Sequence, residues 1–182
     1  MLVMVQNISL SRGIQRTVLY PSFIIQGRGF PKHYDFEEGN FDVYFDLFCK
    51  GEVDFGSYFK MLRSWFDRRN DDNVLFVRYE DIRADKRGVV MEIAKFIGEG
   101  MESRLLQDNG TLMEKVFQYS SLDEMKNIPL RWCNERKAEH SPFIRSGKVG
   151  GWTELVTPVQ VQKLDEIMRQ EFTKEELGFL GY

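Results

Sequence analysis

The stretch NVLFVRYED, residues 73–81, decides the fold class of this chain. It is an unbroken run of β-branched and aromatic residues that follows a turn-forming segment at 70–72. Such a run predicts a strand buried on both faces of a parallel sheet. Apolar residues at helical spacing follow over 89–97 and end at Gly98, which is typical of a helix and its C-terminal cap. A strand followed by a helix predicts the α/β class.

Two amphipathic helices are predicted before this strand. Apolar residues recur at helical spacing over 41–48 and again over 58–66, and Gly51 and Gly56 separate the two runs. The arginines of this region are expected to stay in solvent: Arg63, Arg68 and Arg69. The helices are therefore predicted to bury aromatic faces and to leave charged faces outside.

After the βα unit, the pattern is weakly helical over 101–125 and irregular over 126–151. A final helix has a clear predicted start, because Thr157 is a capping residue with Gln160 three positions later and Pro158 at the first helical position. An irregular segment as long as 126–151 is commonly functional, so candidate ligand contacts are sought there.

The composition narrows the functional classes. With 182 residues, 42% of them hydrophobic, the chain can form one globular domain or a large piece of one. A net charge of −3 from well-mixed charges gives no drive toward nucleic acid or an anionic membrane, so neither partner is predicted. Cys49 and Cys133 have no disulfide-framework or metal-site spacing, so we expect a cytoplasmic protein without a metal.

The segment SPFIRSGKVGGW, residues 141–152, is the strongest candidate binding element. Arg145 offers a planar pair of donors that matches two phosphate oxygens, and Ser146 adds a neutral donor. Gly147 allows backbone N–H groups to approach a ligand closely. From composition alone the segment reads either as a phosphate-binding loop or as an exposed basic turn.

This segment resembles the FxRxGxxGxW element of cytosolic sulfotransferases. The resemblance implies that Arg145, Ser146 and Gly147 bind the 3′-phosphate of the co-substrate 3′-phosphoadenosine 5′-phosphosulfate (PAPS), and that Phe143 is a further nucleotide contact. It favours the phosphate-binding reading over the basic turn.

Three further segments resemble the same family, in the same order along the chain. The segment VLFVRYEDIRAD, 74–85, is similar to the family's strand ending in YED and implies that Tyr79 lies against the adenine. The segment GEVDFGSYFKMLRSWF, 51–66, is similar to a GxVxxGSW element and its following helix. The segment YSSLDEMKNIP, 119–129, implies adenosine contacts at Ser120, Ser121 and Leu122. Leu122 stands where the family usually has a stacking phenylalanine.

The resemblance extends over 29–182 and implies the C-terminal part of a sulfotransferase domain, whereas 1–28 is expected to be a divergent segment. The implied fold is α/β, part of a three-layer P-loop-like arrangement with a parallel sheet, in which the N-terminal strands and phosphate loop are expected to be missing. The strand at 73–81 would then have unpaired edges. The opening segment could be a replacement exon, a mispredicted start or intron sequence.

The implied reaction is transfer of a sulfuryl group from PAPS to a hydroxyl or amine of a small acceptor. No catalytic residue is assigned, because His33 falls after the position of the family's histidine base. The alternative is a truncated, inactive nucleotide-binding or regulatory fragment that pairs with a full-length sulfotransferase. The family's dimerisation pattern is reduced to Thr157 within 153–162, so that dimer is not expected.

Overall fold

A computed structural model describes residues 2–6, 40–54, 56–127 and 156–182, with the backbone alone described for 2–6. The elements in chain order are strand β1 Leu2–Gln6, helices α1 Phe41–Lys50 and α2 Tyr58–Asp67, strand β2 Val74–Arg78, and helices α3 Tyr79–Ala84, α4 Lys86–Ile97, α5 Met101–Tyr119, α6 Leu122–Asn127, α7 Pro158–Glu171 and α8 Lys174–Phe179.

The two strands form a parallel ladder that runs from the pair Leu2 and Val74 to the pair Gln6 and Arg78. The expectation that β2 has unpaired edges, with its flanking strands missing, is therefore wrong for one edge. The neighbouring strand lies within 1–28, the segment expected to be divergent. Strands pair through backbone hydrogen bonds, so the mainly apolar strand LVMVQ can lie beside β2 without carrying a family motif.

Strand β2 is shorter than predicted, because Tyr79, Glu80 and Asp81 belong to helix α3 and not to a strand over 73–81. Two acidic side chains in the first turn favour a helix start, since they face the positive end of the helix dipole. The Arg78 Nε also donates to Asp81 Oδ2 over 2.7 Å, which ties the end of the strand to that turn. Val74 and Val77 are buried, and the other three residues of the strand are half-buried. Because positions 74 and 77 lie on opposite faces of a strand, each face carries one buried residue, which agrees with the predicted burial on both faces.

The main core joins the helices before β2 to the helices at the C-terminal end of the chain. Its buried residues are Tyr44, Phe45, Phe48, Tyr58, Phe59, Leu62, Phe66, Val156, Leu164, Met168, Phe172, Leu177 and Leu180. The apolar positions predicted over 41–48 and 58–66 supply seven of these, which confirms both helices. Several ring pairs pack edge to face, as Phe48 and Phe59 do at 5.7 Å, whereas Phe48 and Tyr58 stack.

Two of the three arginines expected in solvent instead hold the C-terminal helices in place. Arg63 Nη1 lies 2.7 Å from Glu176 Oε2 in α8, and Arg63 also pairs with Asp67. The Arg69 guanidinium lies 3.9 Å from the centroid of the Phe66 ring and 5.7 Å from that of Phe179 in α8, two cation–π contacts. Arg68 alone is exposed, where it pairs with Asp71. The long side chains cover core edges while their charges remain satisfied.

The predicted helix starts and ends are confirmed where they are described. Thr157 accepts from the Gln160 backbone N–H, and the Gln160 side chain accepts from Thr157 N at 2.9 Å, which completes a capping box ahead of Pro158. Gly98 ends α4 with a φ of 75°. A positive φ is strained for residues that have a Cβ, which explains why glycine is favoured there.

Helices α4 and α5 form a second, smaller core around Ala94, Leu105 and Met113. Residues 107–110 depart from helical geometry, so α5 consists of two helical arms joined by a turn. Among the described residues, no helix is long and apolar enough to cross a membrane. The predicted weakly helical region over 101–125 is thus two helices, α5 and α6, that follow α4.

Candidate functional site

Tyr79 lies where the parallel sheet meets the helical layer. It is the first residue of α3 and directly follows the carboxyl end of β2, and β1 ends at Gln6 on the same edge. Ligands of open α/β sheets bind beyond the carboxyl ends of the strands. The Tyr79 side chain is half-buried, so part of the ring is accessible at this edge. The position suits a ring that contacts a nucleotide base.

The turn containing Tyr79 is held by its neighbours. Arg78 and Asp81 form a two-point ion pair across Tyr79, in which Arg78 Nη2 also donates to Asp81 Oδ1. This hydrogen bond, more than any other interaction, raises the pKa of Arg78. Glu80 is 2% exposed, and its charge further raises the pKa of Arg78. The local charges therefore fix the turn that presents Tyr79.

Ser120 and Ser121 occupy the junction between α5 and α6. The Ser120 hydroxyl donates to Val116 O over 2.6 Å, which leaves its oxygen lone pairs as acceptors at an exposed position. The Ser121 hydroxyl oxygen accepts from Glu124 N at 3.2 Å, which leaves its own proton as a donor. Leu122 begins α6 and is half-buried. Both hydroxyls organise helix ends and retain capacity for a ligand.

Helix α4 connects these two groups of predicted contacts. It packs against β2 and α3 on one side and against α5 on the other. Lys86, its first residue, donates from Nζ to Phe117 O over 3.2 Å, and the ammonium lies 5.0 Å from the Phe117 ring centroid. Phe117 is three residues before Ser120. The structure thus ties the region after Tyr79 to the region before Ser120 by one direct contact.

The remaining predicted site residues lie outside the described residues: Phe143, Arg145, Ser146 and Gly147. The same is true of both histidines, His33 and His140. Their assignment to the nucleotide stays a prediction. No group of three or more His, Cys, Asp or Glu side chains suited to a metal occurs within 2–6, 40–54, 56–127 and 156–182.

Sequence reasoning missed two polar contacts around the site. The Arg78–Asp81 pair spans three residues, so it would have been found if the helix start had been placed at Tyr79. The Lys86–Phe117 contact spans 31 residues and joins a side chain to a backbone carbonyl, so no local pattern indicates it.

A separate surface cleft of about 190 Å³ lies at the turn within α5. It is lined by Arg104, Gln107, Asp108, Thr111, Leu112 and Lys115. None of the predicted nucleotide contacts lines this cleft. It is therefore distinct from the region that joins Tyr79 to Ser120.

Comparison with known proteins shows which family this sequence resembles. The family model described as Sulfotransferase domain matches residues 16–176, a range that contains all eight predicted nucleotide contacts. Sulfotransferase 1C2 of Oryctolagus cuniculus is 29% identical over 150 residues, which cover 79% of this chain and 48% of that protein. Cytosolic sulfotransferase 17 of Arabidopsis thaliana is 30% identical over 145 residues, which cover 75% of this chain and 41% of that protein.

Solved structures agree on the fold. Mouse sulfotransferase SULT7A1, solved in complex with PAP, has a TM-score of 0.69 at 22% identity, and the match covers 97% of this chain and 59% of that one. A retinol dehydratase solved with androsterone and the inactive cofactor PAP has a TM-score of 0.71 at 19% identity, covering 94% of this chain and 47% of that one. The architecture is thus the α/β fold of these proteins, and the chain spans about half the length of the curated relatives it matches.

Proposed function

The chain belongs to the sulfotransferase family, and from this premise we propose that it serves transfer of a sulfuryl group from PAPS to a hydroxyl or amine of a small acceptor. The observation that carries the proposal is the family match over 16–176, which contains every residue predicted to touch the nucleotide. The neighbouring structures support the co-substrate, because both of them were solved with PAP.

The proposed nucleotide site has two parts. Tyr79, Ser120, Ser121 and Leu122 would form the adenosine wall: the tyrosine ring and the leucine side chain contact the base, and the two hydroxyls contact polar atoms. Arg145, Ser146 and Gly147 would hold the 3′-phosphate, with Phe143 beside the nucleotide. Because Leu122 replaces a stacking ring by an aliphatic contact, we expect it to hold adenine by contact area alone.

The transfer step requires groups other than the residues proposed to bind the nucleotide. Charge develops on the sulfuryl oxygens, so cations or N–H donors must face them, and a base must take the proton of the acceptor hydroxyl. The sequence contains no GxxxxGK[ST] phosphate loop, and we assign the base to no residue of this chain. The residues assigned here therefore bind and orient the donor, which is the part of catalysis due to positioning.

The alternative proposal is a nucleotide-binding or regulatory module without transfer activity, which pairs with a full-length sulfotransferase. Such a module would use the same nucleotide contacts and would need neither an acceptor base nor donors to the sulfuryl oxygens. Both proposals share the nucleotide site and the cytoplasmic setting predicted from cysteine usage, and they differ in turnover.

A transfer assay separates the two. The purified chain is incubated with PAPS radiolabelled in the sulfuryl group and with a panel of phenols, alcohols and alkyl amines. Labelled acceptor that depends on the chain, and that decreases in Arg145→Ala, would establish the enzyme. Saturable binding of adenosine 3′,5′-bisphosphate without labelled acceptor would favour the module, and the absence of both would contradict the two proposals together.

A further inference from the structure

We propose that Lys86 is a positioning residue for the nucleotide, which holds the two segments of the adenosine wall at a fixed separation. The inference rests on the proposed function, since it concerns the same wall. Tyr79 and the group Ser120, Ser121 and Leu122 lie about forty residues apart in sequence, and a base can contact both only if the packing between them is fixed.

The first step of the link runs from β2 to the start of α4. Arg78 is paired with Asp81 on either side of Tyr79. Asp81 O in turn accepts from Asp85 N at 2.8 Å, and the Asp85 carboxylate accepts from Gly88 N at 2.8 Å as the N-cap of α4. The helix start is tightly built, since a Cβ added at Gly88 would lie 2.2 Å from Asp85 Oδ2. Lys86 is therefore carried on a rigid turn.

The second step runs from Lys86 to the end of α5. The carbonyl of Phe117 belongs to the last turn of that helix, where carbonyls lack the N–H partner four residues further on within the helix and carry the negative end of its dipole. The Ser120 hydroxyl also lies 3.5 Å from this carbonyl oxygen. The Lys86 ammonium satisfies this carbonyl at 3.2 Å and lies against the Phe117 ring. Both interactions favour a cation at this position.

The third step runs from Phe117 to the adenosine contacts. Ser120 closes α5 through its backbone N–H and its hydroxyl, which both donate to Val116 O, at 3.1 and 2.6 Å. Ser121 then caps α6, whose first residue is Leu122. The carbonyls that end α5 thus set where all three residues lie, and Lys86 is bonded to one of those carbonyls. Replacing Lys86 should therefore loosen the adenosine wall without removing a side chain from either hydrophobic core.

The test measures recognition of the base separately from recognition of the phosphates. Dissociation constants are measured by calorimetry for adenosine 3′,5′-bisphosphate and for 1-O-methylribose 3,5-bisphosphate, which lacks the base. Lys86→Met is expected to weaken binding of the nucleotide about three- to tenfold and to leave binding of the base-free compound unchanged. Lys86→Arg should restore the wild-type ratio of the two dissociation constants, because it keeps the cation. Lys60→Met, at an exposed position of α2, is the matched control and should change neither constant.

A wild-type ratio in folded Lys86→Met would overturn the inference and leave the proposed function intact. Equal weakening of both ligands would also overturn it, since that outcome reports a general structural loss. If Lys86→Met fails to fold, Lys86→Gln keeps a neutral donor to Phe117 O and is expected to give an intermediate ratio, whereas an unchanged ratio there counts against the inference. Failure of the wild-type chain to bind either ligand would contradict the proposed function itself, and the inference with it.

Discussion

Phe66→Ala is expected to lower the free energy of unfolding by about 3–5 kcal/mol, because it removes a fully buried ring at the meeting point of four parts of the fold. The Phe66 side chain is 0% exposed. Its ring contacts Phe76 of β2 at 6.2 Å, Phe172 after α7 at 5.6 Å and Phe179 of α8 at 5.5 Å, measured between centroids. The Arg69 guanidinium covers one side of the ring.

The loss combines two effects that act in the same direction. The variant loses the favourable free energy of burying the apolar ring on folding, and the cavity left behind removes contacts from its three aromatic neighbours. Domains are stable by only about 5–15 kcal/mol, so the variant should lose much of its margin. Urea unfolding followed by circular dichroism measures the change.

Phe179→Ala is the matched control for this prediction. Phe179 touches two of the same rings, yet it is 53% exposed, so its truncation should cost only about 1 kcal/mol. Equal losses from the two variants would show that the packing around Phe66 is not as described here.

Arg145→Ala is expected to weaken binding of adenosine 3′,5′-bisphosphate by about 10- to 150-fold. The proposed role of Arg145 is a charge-assisted, two-point contact with the 3′-phosphate, and such contacts are worth roughly twice a neutral hydrogen bond. Calorimetric titration of the purified variant measures the loss. Arg169→Ala, an exposed arginine of α7, removes the same charge elsewhere and should bind as the wild type does. Similar affinities for both variants would remove Arg145 from the site.

The parts of the fold that were predictable are those that local sequence specifies. The spacing of Phe41, Tyr44, Phe45 and Phe48 predicts α1 because a helix repeats within the run itself. The start of α7 is equally local, since Thr157, Pro158 and Gln160 form the cap within four residues. For such elements, tertiary contacts add stability without changing the structure.

The parts that were not predictable depend on distant partners. The pairing of β1 with β2 joins residues 72 positions apart, and nothing in either strand specifies the other. Arg63 reads as a solvated residue of an amphipathic helix until Glu176, 113 residues away, is placed beside it. The predicted end of β2 was wrong for a different reason. The run at 73–81 is uniformly strand-like, whereas the helix start at Tyr79 depends on the acidic first turn and on the Arg78–Asp81 pair.

The candidate site likewise has a part that was predictable from the sequence and a part that was not. Its residues were proposed from the resemblance to sulfotransferases, and the match over 16–176 confirms the family. The link between the segments, Lys86 to Phe117, became visible only in three dimensions because it joins a charge to a backbone carbonyl.

The most direct test of the central claim compares two nucleotides on the unmodified chain. Adenosine 3′,5′-bisphosphate and adenosine 5′-monophosphate differ by the 3′-phosphate, which is the group assigned to Arg145, Ser146 and Gly147. Calorimetric titration should show the bisphosphate binding at least about tenfold more tightly, since it alone makes the charged contact. Equal affinities, or no binding of the bisphosphate, would contradict the assignment of this chain as the nucleotide-binding part of a sulfotransferase.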